Sequence, residues 1–182
     1  MRNSSFLILL LILITLFACS EKKDDSKASY SYAGPKSELF GIDMMYTDSA
    51  RKVVRMVTGV QLTLASEDRI YPKEIKLWFF DKKGNITSEV RGDSAHYYRQ
   101  KNTYKIIGHV VIHNIEKEET LKTDEFNWLP AEKRIFTDKA VQLRTRTELV
   151  NGVGLDAAQD FSSYSLRQVR NSVVAVEGMP TN

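Results

Sequence analysis

Apolar and polar residues alternate along most of the chain beyond residue 59. In IKLWF, which begins at Ile75, the first, third and fifth residues lie on one face of an extended segment. The same period of two recurs in VQLTL from Val60, YKIIGHVVI from Tyr104 and AVQLRT from Ala140. Strict alternation of this kind is typical of half-buried antiparallel strands. Because turn sequences such as DKKGN at 81–85 separate the segments, the pattern predicts an all-β domain.

The alternation also predicts which side chains line the interior of this domain. They are Met56, Val60, Leu62, Leu64, Ile75, Leu77, Phe79, Tyr97, Ile106, Val110, Ile112, Phe126, Trp128, Ile135, Val141 and Leu143. Apolar stripes on facing strands usually form a dry sandwich core. A groove for hydrocarbon chains would have walls of the same chemistry, so the pattern leaves both alternatives open.

A weak internal repeat suggests how the strands are organised. The segments 93–114 and 124–145 share an aspartate, alternating aromatic residues, a polar turn and an apolar alternation. A repeat of roughly thirty residues, each a pair of short strands, suggests stacked β-units with a shared interior and open edges.

The N-terminus departs from the strand pattern. Residues 6–18 are almost wholly apolar and end at Cys19, the only cysteine. This run is shorter than the roughly 20 apolar residues that span a bilayer. With Arg2 ahead of the run and Ala18 at its end, it has the layout of a signal peptide. The LFAC sequence at 16–19 resembles a lipobox, which predicts cleavage after residue 18 and a lipidated Cys19, with an uncleaved anchor as the alternative.

These features divide the chain into four parts. After the signal peptide at 1–18, residues 19–38 are polar and charged, which predicts a lipidated cysteine followed by a flexible tether. The β-domain is expected over 39–176, which is one domain's length, and a disordered tail over 177–182.

Charge and cysteine content exclude several classes of protein. The chain has 26 basic and 23 acidic residues, a net charge of +3, without a basic block. This balance does not predict the basic face that nucleic-acid binding requires. A single cysteine excludes an intrachain disulfide framework.

The titratable residues do not form a recognisable reaction centre. His109 and His113 are four strand residues apart, about 13 Å, which is too far to share one metal ion. We therefore predict no metal, no cofactor and no catalytic residue. A sugar-modifying enzyme is the rival from another class, since four aspartates recur near predicted strand starts, namely Asp93, Asp124, Asp138 and Asp156. Aspartate at turns and strand ends is, however, the commoner role.

Six segments, in order, carry a family resemblance. They are GVQLTL at 59–64, GDSAHYY at 92–98, GHVVIHN at 108–114, LKTDEFNW at 121–128, IFTDKAVQL at 135–143 and VNGVGLDA at 150–157. Their order and spacing resemble the LptC family, periplasmic proteins of lipopolysaccharide export. The resemblance implies an open, V-shaped antiparallel β-jellyroll that holds acyl chains of lipopolysaccharide between its sheets.

The resemblance also implies a carrier with two protein partners. The protein would receive lipopolysaccharide from an inner-membrane ABC transporter, whose β-domain would meet the first strand near 42–57. It would pass the lipid to a periplasmic LptA-like bridge protein that pairs with the last strand through Leu166, Val169 and Val173, because exposed edge strands template pairing. A structural lipoprotein scaffold with a closed β-core and no lipid cargo is the alternative.

The anchor is where the chain departs from the family. The best-known members keep an N-terminal transmembrane helix, whereas this chain has the lipobox-like sequence before Cys19. The family implies the periplasmic face of the inner membrane. Ser20 after the cysteine favours release to the outer membrane instead, which is the alternative location.

Overall fold

The computed structural model describes residue 32 and residues 34–174 of the 182-residue chain. The predicted signal peptide, the lipidation site Cys19, most of the tether and the C-terminal tail lie outside these residues. No helix in the described part is long and apolar enough to cross a membrane.

The described residues form an 11-stranded antiparallel sheet with one short 3-10 turn, Pro130–Glu132. The strands are β1 Ser37–Asp48, β2 Arg51–Thr63, β3 Arg69–Tyr71, β4 Ile75–Phe80, β5 Ile86–Gly92, β6 Ser94–Tyr98, β7 Thr103–Asn114, β8 Glu119–Leu129, β9 Arg134–Arg144, β10 Glu148–Ala158 and β11 Tyr164–Val174. The prediction of an all-β domain is confirmed, and the sheet is consistent with an open β-jellyroll.

The sheet is a meander in which strands pair with their neighbours along the chain. β3 and β4 together behave as one interrupted strand, because β2 pairs with both of them, Thr58 with Ile75 and Leu62 with Ile70. β5 and β6 do the same against β7, with Asp93 between them. From β7 to β11 each strand pairs with the next. The two ends of this order are β1 and β11.

A line of irregularities crosses the middle of the long strands, and we call it the crease. Pairing shifts between Ile107 and Val110 in β7, between Thr123 and Asn127 in β8, and between Val153 and Leu155 in β10. Bulges bend strands and increase their twist. Because neighbouring strands bend at the same level, the sheet folds over into two layers.

The layers are defined by their position relative to the crease. Layer one contains β4, β5 and the segments 51–58, 110–114, 119–123, 140–144 and 148–153. Layer two contains β3, β6 and the segments 59–63, 103–107, 125–129, 134–137 and 155–158. The layers face each other, since the ring of Phe79 in layer one lies 5.6 Å from that of Trp128 in layer two.

Gly108 shows why the crease requires glycine. Its φ is +80°, a left-handed conformation that costs other residues free energy. A Cβ built there would lie 2.5 Å from an Asp93 carboxylate oxygen. The backbone of Asp93 also donates a hydrogen bond to the Gly108 carbonyl, at 3.0 Å. Glycine at this position therefore allows both the bend and the close packing of β7 against the β5–β6 junction.

The crease also changes which face of a strand is buried. In β2, Val54, Met56 and Thr58 are buried, but beyond Gly59 it is Gln61 that is buried, with 8% of its surface exposed. The pairing of β2 shifts by one residue between its β4 and β3 partners. Since the strand period is two, one extra residue moves the following side chains to the opposite face.

Candidate functional site: the interior and the sheet edges

Most of the predicted interior residues are buried between the two layers. Those with at most 6% of their surface exposed are Met56, Ile75, Leu77, Phe79, Ile106, Val110, Ile112, Phe126, Trp128, Ile135, Val141 and Leu143. Tyr97 is partly buried and packs against them. Val60, Leu62 and Leu64 are half-buried and lie outside this cluster, because the face of β2 changes at Gly59.

Aromatic rings run through the interior from layer two to layer one. Tyr71 stacks on Tyr104 with ring centroids 6.5 Å apart, and Tyr104 stacks on Trp128 at 5.0 Å. Trp128 meets Phe79 edge to face at 5.6 Å. Phe79 meets Phe161 in the same way at 6.2 Å. The path is apolar from Trp128 to Phe161, whereas its other end contains the buried hydroxyl groups of Tyr71 and Tyr104 beside Arg69.

Sequence reasoning missed several members of the interior. They are Val54, Tyr71, Val90, Ala95, Leu121, Leu155, Ala157 and Phe161, all at most 6% exposed. Val54, Val90 and Leu121 continue the alternation of their own strands, so the pattern could have identified them. Phe161 lies in a turn, where no period indicates which side chain is buried.

The interior is closely packed in this structure. Beneath the β10–β11 turn, a cavity of about 10 Å³ remains among residues that include Ile112, Leu121, Leu143 and Phe161. That volume approaches the least that holds one water molecule. An acyl chain at this place would therefore require the layers to part or side chains to move.

The two layers also meet at the end opposite the crease, which we call the mouth. There the β10–β11 turn, residues 159–163, contacts Ser88, Asn114 and Lys117. Asn114 of layer one donates from Nδ2 to the Phe161 carbonyl at 3.0 Å, and Ser88 donates from its hydroxyl to the Asp160 carbonyl at 3.4 Å. Lys117 Nζ donates to the Ser162 carbonyl at 3.1 Å. Side chains of one layer thus hold the backbone of a turn from the other.

Two further polar contacts cross the mouth. The Tyr164 hydroxyl donates to Glu119 Oε2 at 2.7 Å, and burial, together with this carboxylate, raises the pKa of Tyr164. Lys133 Nζ lies 3.0 Å from Asp48 Oδ2, and its hydrogen bond lowers the pKa of that exposed carboxyl. The Lys133–Asp48 pair is exposed and therefore contributes little to stability, whereas the Tyr164–Glu119 bond is partly buried.

The segment predicted to pair with a partner forms the terminal strand, β11. This strand pairs with β10. Leu166 packs against the core, whereas Val169 and Val173 have 57% and 62% of their surface exposed. At the other end, β1 pairs with β2 and exposes Phe40 at 72%. Both edges carry apolar side chains that the core does not cover.

The aspartates considered for a sugar-modifying enzyme form ion pairs or lie on the surface. Asp93 Oδ2 lies 2.6 Å from His109 Nδ1, and both side chains are exposed at the crease. Asp138 and Asp156 both contact Arg167. In the part of the chain that the structure describes, no three His, Cys, Asp or Glu residues are grouped to hold a metal ion.

A second recess lies on the outward face of layer one. It has a volume of about 530 Å³, and its lining includes Arg91, His109, Lys122, Gln142 and Asn151. Cross-strand pairing places Arg91, Lys122, Gln142 and Asn151 in one row with Val111. Val111 and Ala140 also line this recess, but its charged and amide side chains make it less suited to hydrocarbon than the interior.

One family model matches most of the chain, including nearly the whole sheet. A family model described as "Lipopolysaccharide-assembly, LptC-related" matches residues 6–172. The matched range contains β1 to β10 and most of β11. A search of curated proteins finds no match.

Proposed function

Since the chain belongs to the LptC-related family of lipopolysaccharide-assembly proteins, we propose that it carries lipopolysaccharide with the acyl chains between its two layers. Family membership makes it a component of lipopolysaccharide transport in the periplasm of the cell envelope, and its role there is not enzymatic.

The single observation that supports carriage between the layers is the apolar interior. Side chains from both layers meet there directly, ring against ring, from Trp128 through Phe79 to Phe161. Each methylene group moved from water into such surroundings gains about 0.8 kcal/mol. The interior is therefore chemically suited to several acyl chains, provided that the layers separate.

The packed state of the interior favours a second candidate function. With a cavity of about 10 Å³ beneath the β10–β11 turn, the closed protein resembles a scaffold that offers only its edges to partners. The two candidates differ in one respect. A carrier opens between its layers during transport, whereas a scaffold stays closed.

The two edges support a proposal about partners. We propose that β1 pairs with the β-domain of the transporter that delivers the lipid and that β11 pairs with a bridge protein that receives it. Unpaired backbone groups on an edge strand bind another strand by β-augmentation. Such head-to-tail contacts extend a chain of domains rather than closing a ring.

The anchor belongs to the same proposal. We propose that Cys19 is lipidated and holds the domain at the periplasmic face of the inner membrane, with the outer membrane as the alternative. Two acyl signals on one residue suffice for stable attachment. Mass spectrometry of the membrane-bound wild-type protein tests this: we expect a mature chain that starts at an acylated Cys19, and an unmodified Cys19 in a chain that keeps residues 1–18 would contradict lipidation.

Photo-crosslinking tests the carrier proposal. A photoreactive amino acid at Ile112, which is 2% exposed between the layers, should capture lipopolysaccharide in energised membranes. The matched control is Val111, the adjacent residue on the outward face, where we expect no adduct. Absence of an adduct at every interior position in folded protein would contradict carriage and leave the scaffold.

A further inference from the structure

We infer that Phe161 occupies a hydrocarbon-binding subsite in the closed protein and that the β10–β11 turn is the gate of the interior. This inference rests on the proposed function and concerns how an acyl chain gains access to the space between the layers. It identifies the ligand class as a hydrocarbon chain, and the blocking group as the protein's own phenyl ring.

The position of the Phe161 ring supports self-occupancy. The residue belongs to a turn at the mouth, yet only 3% of its surface is exposed. Its ring meets Phe79 at 6.2 Å, at one end of the aromatic path. It also borders the small cavity shared with Ile112, Leu121 and Leu143, which belong to layer one. Removal of the ring would open this cavity from the mouth.

The backbone of Phe161 is held in a conformation that aromatic residues seldom adopt. Its φ is +55°, in the left-handed region that favours glycine. Residues in sparsely populated conformations persist only when their surroundings fix them, and they are concentrated at clamps and switch regions. The surroundings here are the hydrogen bonds from Asn114, Ser88 and Lys117 across the mouth.

The bonds of the turn allow it to move as one unit. Phe161 N–H donates to the Ala158 carbonyl and Ala158 N–H donates to the Ser163 carbonyl, both at 2.9 Å within the turn. Gln159 N–H donates to the Lys133 carbonyl of the same layer at 2.9 Å. The bonds to layer one all come from side chains. Release of those side chains would let the turn swing out without breaking a pair of β-strands.

Quenching of Trp128 fluorescence measures access to the subsite. The chain has two tryptophans, so Trp78→Phe leaves Trp128, which lies on the aromatic path, as the sole reporter. The probe is a bromine-substituted dodecanoic acid, added to the full-length protein. We expect Phe161→Ala to lower the probe concentration for half-maximal quenching about tenfold, because apparent affinity rises with the fraction of molecules whose site is free.

Two further variants separate the gate from a general loosening of the fold. Asn114→Ala removes one cross-mouth hydrogen bond and keeps the ring, so we expect tighter probe binding in the same direction. Phe136→Ala removes a half-buried phenyl ring from the outward face of layer two and should leave quenching unchanged. If Phe161→Ala does not fold, Phe161→Leu takes its place, since it removes the ring but keeps a smaller apolar side chain and so loses less packing.

The outcomes distinguish this inference from the proposed function. Unchanged quenching in both the Phe161 and the Asn114 variants would overturn the gate, even if lipopolysaccharide forms an adduct at Ile112. An equal increase in the Phe136 variant would overturn it as well. Absence of the Ile112 adduct in energised membranes, with tighter probe binding in the Phe161 variant, would contradict lipopolysaccharide carriage and leave the subsite established.

Discussion

At the scale of single residues, glycine and tyrosine positions determine much of the structure. Gly108 allows the bend of β7 at the crease because its φ is positive and Asp93 leaves no room for a Cβ. The tyrosines are different, since they bring hydroxyl groups into an apolar interior. Tyr71 is fully buried, and Tyr104 packs against it. Each of these features leads to a measurable consequence.

Substitution of Gly108 tests the crease. We expect Gly108→Ala to lower the free energy of unfolding by about 1–3 kcal/mol, because the backbone conformation is strained for alanine and the new Cβ meets Asp93. Gly59→Ala is the matched control, since the nearest atoms to a Cβ there are 3.7 Å away on the Lys73 side chain. Chemical denaturation measures both, and equal losses would contradict the special role of Gly108.

The buried tyrosines predict an alkaline limit to stability. Burial raises the pKa of both Tyr71 and Tyr104 above the usual 10.0. As the pH rises, the unfolded chain therefore loses these protons before the folded protein does. The contribution of the two tyrosines to the free energy of unfolding is fully present below about pH 10 and decreases as the pH rises further. We expect Tyr104→Phe to make this fall shallower in denaturation measured between pH 8 and pH 12. A variant with the wild-type slope would show that Tyr104 is not responsible.

At the scale of elements, the terminal strand β11 is the feature most open to a partner. Its pairing with β10 leaves Val169 and Val173 exposed. Proline cannot donate a backbone hydrogen bond, so Val169→Pro should weaken pairing with a bridge protein. Co-purification measures this, with Val169→Thr as the control that keeps the backbone donor. A proline variant that folds and still binds normally would exclude β11 as the docking edge.

The strands also show how far sequence reasoning reaches. Alternation identified the strands and most of the interior, because side chains on a strand follow a period of two wherever the backbone is regular. Beyond Gly59 it assigned side chains to the opposite face of β2. The strand pairing shifts there by one residue, so that Gln61 is buried and Val60 and Leu62 are only half-buried. It also missed Phe161, whose burial depends on contacts between distant strands rather than on local pattern.

At the scale of the whole molecule, one folded meander gives the protein both an apolar interior and two edges. The crease joins the layers through the backbone of its long strands, whereas the mouth is held by side-chain contacts such as the pair of Lys133 with Asp48. The layers are therefore expected to separate at the mouth and to remain joined at the crease. This asymmetry is what the carrier proposal requires.

The most direct test measures the lipopolysaccharide adduct at Ile112 with the mouth tethered and released. Asp48 pairs with Arg51 of layer one, and Lys133 directly precedes Arg134 of layer two. Cysteines at these two exposed positions, Asp48→Cys and Lys133→Cys, can be joined by a short, reducible bis-methanethiosulfonate cross-linker. The account predicts that the tethered protein forms little adduct in energised membranes and that reduction restores it, while each single-cysteine variant behaves as the untethered protein. Adduct formation that is unaffected by the tether would contradict the claim that lipopolysaccharide passes between parting layers.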